Sequence, residues 1–536
     1  MQGKQHMIVV IGSGPAAVAA THALVEAGKS VTILDAGKTL EADHELVRAK
    51  MAGQKTEDWS EEDIQTMVGR RGSHEETIHT KLSYGSSFAT DVDDEHSGIH
   101  WERRKGFNFS HAMGGLSNIW GSALLPYRQE DIGDWPVGVS DLEEHYRSVM
   151  KFVPGTFVND DLEGLLPARA VNPQELHLSR QGTFLFERMD AARQSLRNNG
   201  VVHGHSRVAV RTDGSGREQP CVYCGLCLSG CPYRLIYSSS LTLEALLSSD
   251  RLRYIPGSVV ERIEKTGSGL RVLGHRASDN SRFSYEAGRV MLAAGVLPTA
   301  KIALESLRVF NSPIRLLDSQ YFIIPMMQLR KAGYIAQEHL HTLSQAFVEI
   351  DDPAISRHLI HTQIYGYSRF LESELEKTFL KWPLKIGWFN EEFLGRLIIA
   401  QGFLHSRDSG ALELVLREHS GHNARLDIAH RPQFTAKAKA LAVALKFLWN
   451  SASIGAVPLI PGIKIPRPGS GYHSGGTFPM RKSPGPLETD ILGRFNEFDR
   501  LHIVDSSIFP SIPATSITLS VMANAHRIAS TVAGEL

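Results

Sequence analysis

Every cysteine of the 536-residue chain lies in one window, Cys221-Val-Tyr-Cys224-Gly-Leu-Cys227-Leu-Ser-Gly-Cys231-Pro232. The spacing C-x2-C-x2-C-x3-C-P is one by which thiolates hold iron–sulfur clusters. Thiolates this close suit a soft metal centre better than a ladder of disulfides. Zinc also takes four cysteines, but its sites usually pair two C-x2-C knuckles across a longer spacer. No fifth cysteine exists to complete a second cluster, so one cluster is the limit. Either all four thiolates hold a [4Fe–4S] centre, or Cys221, Cys224 and Cys227 hold a cluster such as [3Fe–4S], with its last corner empty or filled by another ligand. The favoured set is all four. Arg211, Gly214, Gly216, Arg217 and Pro220 surround the run, a turn-rich stretch able to aim backbone N–H groups at the sulfurs.

A second chemistry-bearing pattern stands at the N-terminus. Residues 7–11, Met-Ile-Val-Val-Ile, form an apolar run typical of a parallel strand covered on both faces. They lead into Gly12-Ser-Gly14-Pro-Ala-Ala17, then a helical pattern to Gly28, then a second strand that ends in Asp35. Gly12 makes the tight turn, Gly14 admits a pyrophosphate, Ala17 lets helix and strand pack, and Asp35 lies where an acid grips ribose hydroxyls. Strand, turn, helix, strand and acid in this order predict a dinucleotide-binding domain.

Three further segments follow, around Met113-Gly114-Gly115, Ala293-Ala294-Gly295 and Tyr472-His473-Ser474-Gly475-Gly476. Together they resemble the glucose-methanol-choline (GMC) oxidoreductase superfamily, most closely its pyranose oxidase and sugar dehydrogenase branch. The first is His-Ala-Met-Gly114-Gly115-Leu-Ser117-Asn118-Ile119-Trp120, followed by Trp135-Pro136 and a capped helix start at Ser140. Paired glycines let backbone lie against a flat ring. Pyranose oxidases bond a histidine of this loop to the flavin; the matching position here is Ile119, so the resemblance implies non-covalent FAD. The second is Arg289-Val-Met-Leu-Ala-Ala294-Gly295, which leads into a helical run to Ser306. The third is Tyr472-His473-Ser-Gly475-Gly476-Thr477, then Asp505 at family spacing, then the helix from Ser516 and Ile517 to Ala529. The resemblance makes His473 the catalytic base. Ser516 stands where the superfamily carries a second histidine or an asparagine, with Thr518, Asn524 and His526 as substitutes under a shifted register. The implied cofactor residues are Gly12, Gly14, Ala17, Asp35, Gly114, Gly115, Ser117, Asn118, Ala294, Asp505 and Ile517.

The elements that must position these residues give an α/β fold: a Rossmann-like FAD domain interleaved with an α+β substrate cap of antiparallel sheet and helices. The expected division is 1–155, 206–306 and 470–536 for the FAD domain, with the iron–sulfur loop at 211–240, and 156–205 with 307–469 for the cap. In the cap, 358–367 reads as a strand and 436–449 as a helix. His361 on that strand has two readings, a position facing substrate and, favoured as the more common, a solvated sheet face. The polar stretch 55–98 reads as a surface excursion or lid.

Lysine plus arginine (57) nearly cancel aspartate plus glutamate (58), which argues against nucleic acid or anionic membranes as partners. The longest uncharged stretch, 506–525, carries Pro510 and Pro513, so no membrane span is expected. Reduced thiols and the lack of a visible signal peptide point to the cytoplasm. The expected activity is an FAD-dependent dehydrogenase oxidising a secondary alcohol of a sugar or polyol-like metabolite. Hydride transfer brings two electrons and a cluster passes them singly, so the acceptor is a one-electron protein or a quinone-linked carrier. An oxidase with a structural cluster ranks second, and a non-redox flavin-bound lyase third.

Overall fold

The computed structural model describes residues 7–69, 82–90, 98–101, 109–213, 219–375, 387–418 and 424–536. A five-stranded parallel sheet forms the base, in the spatial order Leu501–Ile503, Arg289–Leu292, Ile8–Ile11, Val31–Leu34, Leu252–Ile255. Ile8–Ile11 is buried at every position, as a strand covered on both faces must be. The first helix, Pro15–Glu26, begins with proline where its missing N–H costs nothing, and packs against the last helix, Ile517–Gly534. A three-stranded antiparallel sheet, Ser258–Lys265, Leu270–Arg276 and Arg282–Ala287, sits between Leu252–Ile255 and the strand Arg289–Leu292 in the chain.

The cap holds a six-stranded antiparallel sheet in the order Ala456–Pro458, Tyr321–Gln328, Leu397–Phe403, Ile360–Tyr365, Ala346–Ile350, Val201–His205. Helices Arg180–Ala191 and Thr435–Trp449 share an apolar core with it through Leu185, Met189, Ala440, Val443 and Phe447. A second sheet runs Ser474–Gly475, Pro313–Asp318, Ala411–Arg417, Arg425–Arg431, Ile99–Trp101. Hydrogen bonding there joins Pro313–Asp318, inside the range 307–469, to Ser474–Gly475 beyond it, while Ile99–Trp101 pairs with Arg425–Arg431, so one sheet ties that range to the segments on both sides of it.

Two local readings are corrected. The helix expected to start at a Ser140 cap spans Val139–Val149 and is capped two residues earlier, where the Asp141 carboxylate accepts the Gly138 N–H at 2.8 Å. The polar stretch 55–98 lies partly outside the described residues. Its described part includes the helix Glu61–Val68, whose Met67 is fully buried in a cluster with Met51, Leu226 and Cys224. Charged residues on its outer face hid an apolar inner one that covers the cysteine loop.

Candidate active site

Between the parallel sheet and the cap lies a cavity of about 360 Å³. Its floor is the turn after the first strand. Gly12 has φ +98°, and a Cβ there would stand 2.5 Å from the Ala293 carbonyl oxygen. A Cβ on Gly14 would meet nothing within 4 Å, so the turn leaves open space beside the N-terminus of the first helix, where a pyrophosphate fits. Asp35 ends the next strand, buried, and accepts from Ser13 Oγ and from Tyr254 Oη at 2.9 Å. Burial pushes its carboxyl up to about 6, against the pull of those hydroxyls and of His111.

The flavin-type loop closes one side. Gly114 (φ +88°) donates its N–H to Ser13 Oγ at 3.0 Å, and a Cβ on Gly115 (φ +57°) would stand 3.4 Å from Gly14 Cα. Asn118 Nδ2 donates to the carbonyls of Met113 and Gly115, which fixes the loop's curvature. Opposite, Asp505 accepts from Thr299 Oγ1 at 2.6 Å and from the Gly295 and Ser507 N–H groups, so it locks the Ala294–Gly295 turn onto the last segment. The last helix presents its N-terminus to the cavity through Ser516, Ile517 and Thr518, and its N-cap makes no side-chain hydrogen bond. Those free N–H groups and the helix dipole favour negative charge.

His473 lines the same cavity. Its ring stacks on Phe403 (4.8 Å, 26°) and its Nδ1 is buried without a partner. Burial, reinforced by His361, lowers its pKa to about 4, so the imidazole is neutral across the physiological range. His361 is not on a solvated face: it is fully buried, bonded through Nδ1 to Glu349 (2.7 Å) and through Nε2 to Gln363 (3.1 Å). Tyr365 Oη in turn donates to Gln363 Oε1 at 2.6 Å. Gln363, Tyr365, Gln401 and Phe403 form the cap wall of the cavity. The sequence reading missed them. Their signal is the period of two in His361-x-Gln363-x-Tyr365, with Gln401 and Phe403 registered opposite Gln363 and His361 on the next strand.

The structure thus brings Gly12, Gly14, Asp35, Gly115, Ser117, Ala294, His473, Asp505, Ser516 and Ile517 to one cavity. Ala17, Gly114 and Asn118 shape its walls from behind. Of the substitutes for Ser516, Thr518 lines the cavity, whereas Asn524 bonds Arg527 and His526 bonds His145. Open space at Gly14, the acid at Asp35 and the uncapped helix at Ser516 fit an FAD. The ribose hydroxyls would donate to ionised Asp35, so FAD should bind about tenfold more weakly at pH 5 than at pH 7, because a carboxyl of pKa about 6 is mostly protonated at pH 5. In the FAD-free protein the same raised value makes stability fall as pH rises from about 4 through about 6. Fluorescence titrations of FAD against pH, with Asp35→Asn giving a flat profile, check the first effect.

The cysteine loop lies outside this cavity but adjoins it. Tyr223, Gly225, Gly230 and Arg234 all take positive φ, which winds the chain tightly around the four thiols. Backbone N–H groups are directed at the sulfurs: Tyr223 at Cys221, Leu226 at Cys224, and Tyr233 and Leu235 at Cys231. Burial and neighbouring thiols push Cys221 up to about 11, Cys231 to about 12 and Cys224 further. Ligands of a single zinc ion stand about 3.8 Å apart for Zn–S bonds of 2.3 Å. Among the described residues, no three of these sulfurs lie within 4.8 Å of one another. Four thiols gathered in one tightly wound loop and met by backbone N–H donors form a donor set that a cluster would fit. The arm leaving Cys231 runs straight to the flavin-type loop: Trp120 Nε1 donates to the Tyr237 carbonyl, the Ser239 N–H to Ser117 Oγ, and Ser238 Oγ to Asn118.

Residues 417–525 match the family of the GMC oxidoreductases at its C-terminal domain. No curated protein matches the chain. Among solved structures, the fold is similar to the crystal structure of pyridoxine 4-oxidase from Mesorbium loti, with a TM-score of 0.57, 14% identity and 98% of each chain covered. At that identity the likeness concerns the fold. The matched C-terminal domain carries His473, Asp505 and Ser516, and with the dinucleotide cavity it makes the chain an oxidoreductase.

Proposed function

We propose that the chain is an FAD-dependent dehydrogenase that oxidises a secondary alcohol of a sugar or polyol-like metabolite and delivers electrons singly to an external acceptor through a cluster at Cys221, Cys224, Cys227 and Cys231. The observation that carries the reading is His473, a neutral, buried imidazole with an unpartnered nitrogen, in the cavity that also holds the dinucleotide turn. Bound FAD would take the hydride from the carbinol carbon. The chain supplies the proton acceptor: a substrate hydroxyl would satisfy the His473 ring and give up its proton as the carbonyl forms. Gln363, Gln401 and Tyr365 offer donors and acceptors to neighbouring hydroxyls, which favours a polyhydroxylated substrate over an apolar one. Ser516, a hydroxyl at the N-terminus of the last helix, orients the substrate oxygen but is no base at neutral pH. Ile119, an apolar side chain on the loop, offers no atom for a covalent flavin link.

Anaerobic addition of a panel of sugars and polyols tests the reading. The flavin absorbance should bleach with one class of them, followed by the EPR signal of a reduced cluster. Bleaching without any cluster signal, with peroxide formed on admitting air, would replace the dehydrogenase by an oxidase.

A further inference from the structure

On the far side of the last helix from its N-terminal turn, three potential ligands from two helices converge. His22 and Glu26 stand one turn apart on Pro15–Glu26, and His526 faces them from Ile517–Gly534. One ligand atom from each lies within 4.8 Å of the others. His22 Nδ1 stands 3.3 Å from Glu26 Oε2, paired with it across one helical turn. That separation is the edge of a tetrahedron whose donors stand about 2.0–2.1 Å from a central ion. The His22 ring is held by stacking on Phe152 at 4.2 Å.

His526 supplies the independent sign of a ligand. It is only 6% exposed, and its Nε2 is buried without a partner. Its Nδ1 is engaged by His145 Nδ1 at 3.0 Å and by Ser530 Oγ at 3.3 Å. An imidazole that ligates through Nε2 carries its proton on Nδ1, which His145 then accepts; this is the arrangement that fixes the orientation of metal-bound histidines.

We propose that His22, Glu26 and His526 bind a divalent transition-metal ion, zinc foremost, with His145 as the positioning residue and water in the fourth place. Two imidazoles and one carboxylate suit zinc better than the oxygen-seeking calcium or magnesium. Glu26 is largely exposed, which leaves an entry path and room for the water. The Lys151 ammonium acts on both His22 and His526 and Arg527 acts on His145, so the site binds less tightly than one free of cations. The ion would tie together the two helices whose N-termini open onto the cavity, and so act as a structural clasp independent of the redox chemistry.

The test uses the purified holoenzyme, stripped with a chelator that spares its bound groups and then supplied with Zn²⁺. Anomalous diffraction at the zinc edge should show a peak between the two helices, distinct from the cysteine loop. His22→Asn and Glu26→Gln should each lose that peak and the zinc-dependent rise in unfolding temperature, while the flavin absorbance stays unchanged. Glu26→Gln, at an exposed position, guards against a folding defect in the other variant. No peak between the helices in the wild type, or a peak that persists in both variants, overturns the proposal.

Discussion

His473→Ala should lower turnover by about 10²–10⁴-fold with any alcohol the native enzyme oxidises, the range spanned by removal of a general base. That corresponds to about 3–5 kcal/mol of transition-state stabilisation. FAD should remain bound, because the residues proposed to hold the dinucleotide are Gly14, Asp35 and the N-terminus of the last helix, not this ring. The loss therefore belongs in the rate of flavin reduction measured by stopped flow, with the flavin-to-protein absorbance ratio unchanged. The pH profile carries a second check. Burial and His361 hold the imidazole near 4, well below its usual value, so the acid limb of the rate should fall near pH 4 and the rate should stay level from about pH 5 upward. A limb near 6.5 that vanishes in His473→Ala would mean the ring is solvated in the working enzyme. Unaltered flavin reduction in the variant would remove His473 from the chemistry.

Replacing Cys224 by serine should have the second large effect. Its thiol is packed with Met51, Met67 and Leu226 and receives the Leu226 N–H, so serine retains the space but loses the soft donor. Affinity for the proposed cluster should fall by at least the 10–100-fold typical of losing even an outer-sphere partner, read as iron and sulfide lost on purification. Turnover with one-electron acceptors should fall with it, while substrate still bleaches the flavin. The separation of the two readouts is what matters. If both vanish together, the loop holds the fold rather than carrying electrons. If the native protein contains zinc and no iron, the electron route is removed altogether.

The parts of the site written within one short stretch were legible in the sequence. Gly12, Gly14 and Asp35 follow one another through strand, turn, helix and strand, so local spacing places them, and the cysteine run is a single loop. His473 and Asp505 could be picked out only because their segments resemble those of the GMC superfamily. Local rules could not say what those segments meet. Asn524 looked eligible beside Ser516, but eight helical residues carry it about 12 Å along the axis, away from the cavity mouth. His361 looked solvated, because a strand's period of two separates two faces without telling which one another layer covers. Only the stacking of the cap sheet over the dinucleotide fold put Phe403 between His361 and His473, removed water from both rings, and set the proton affinity on which the proposed reaction depends.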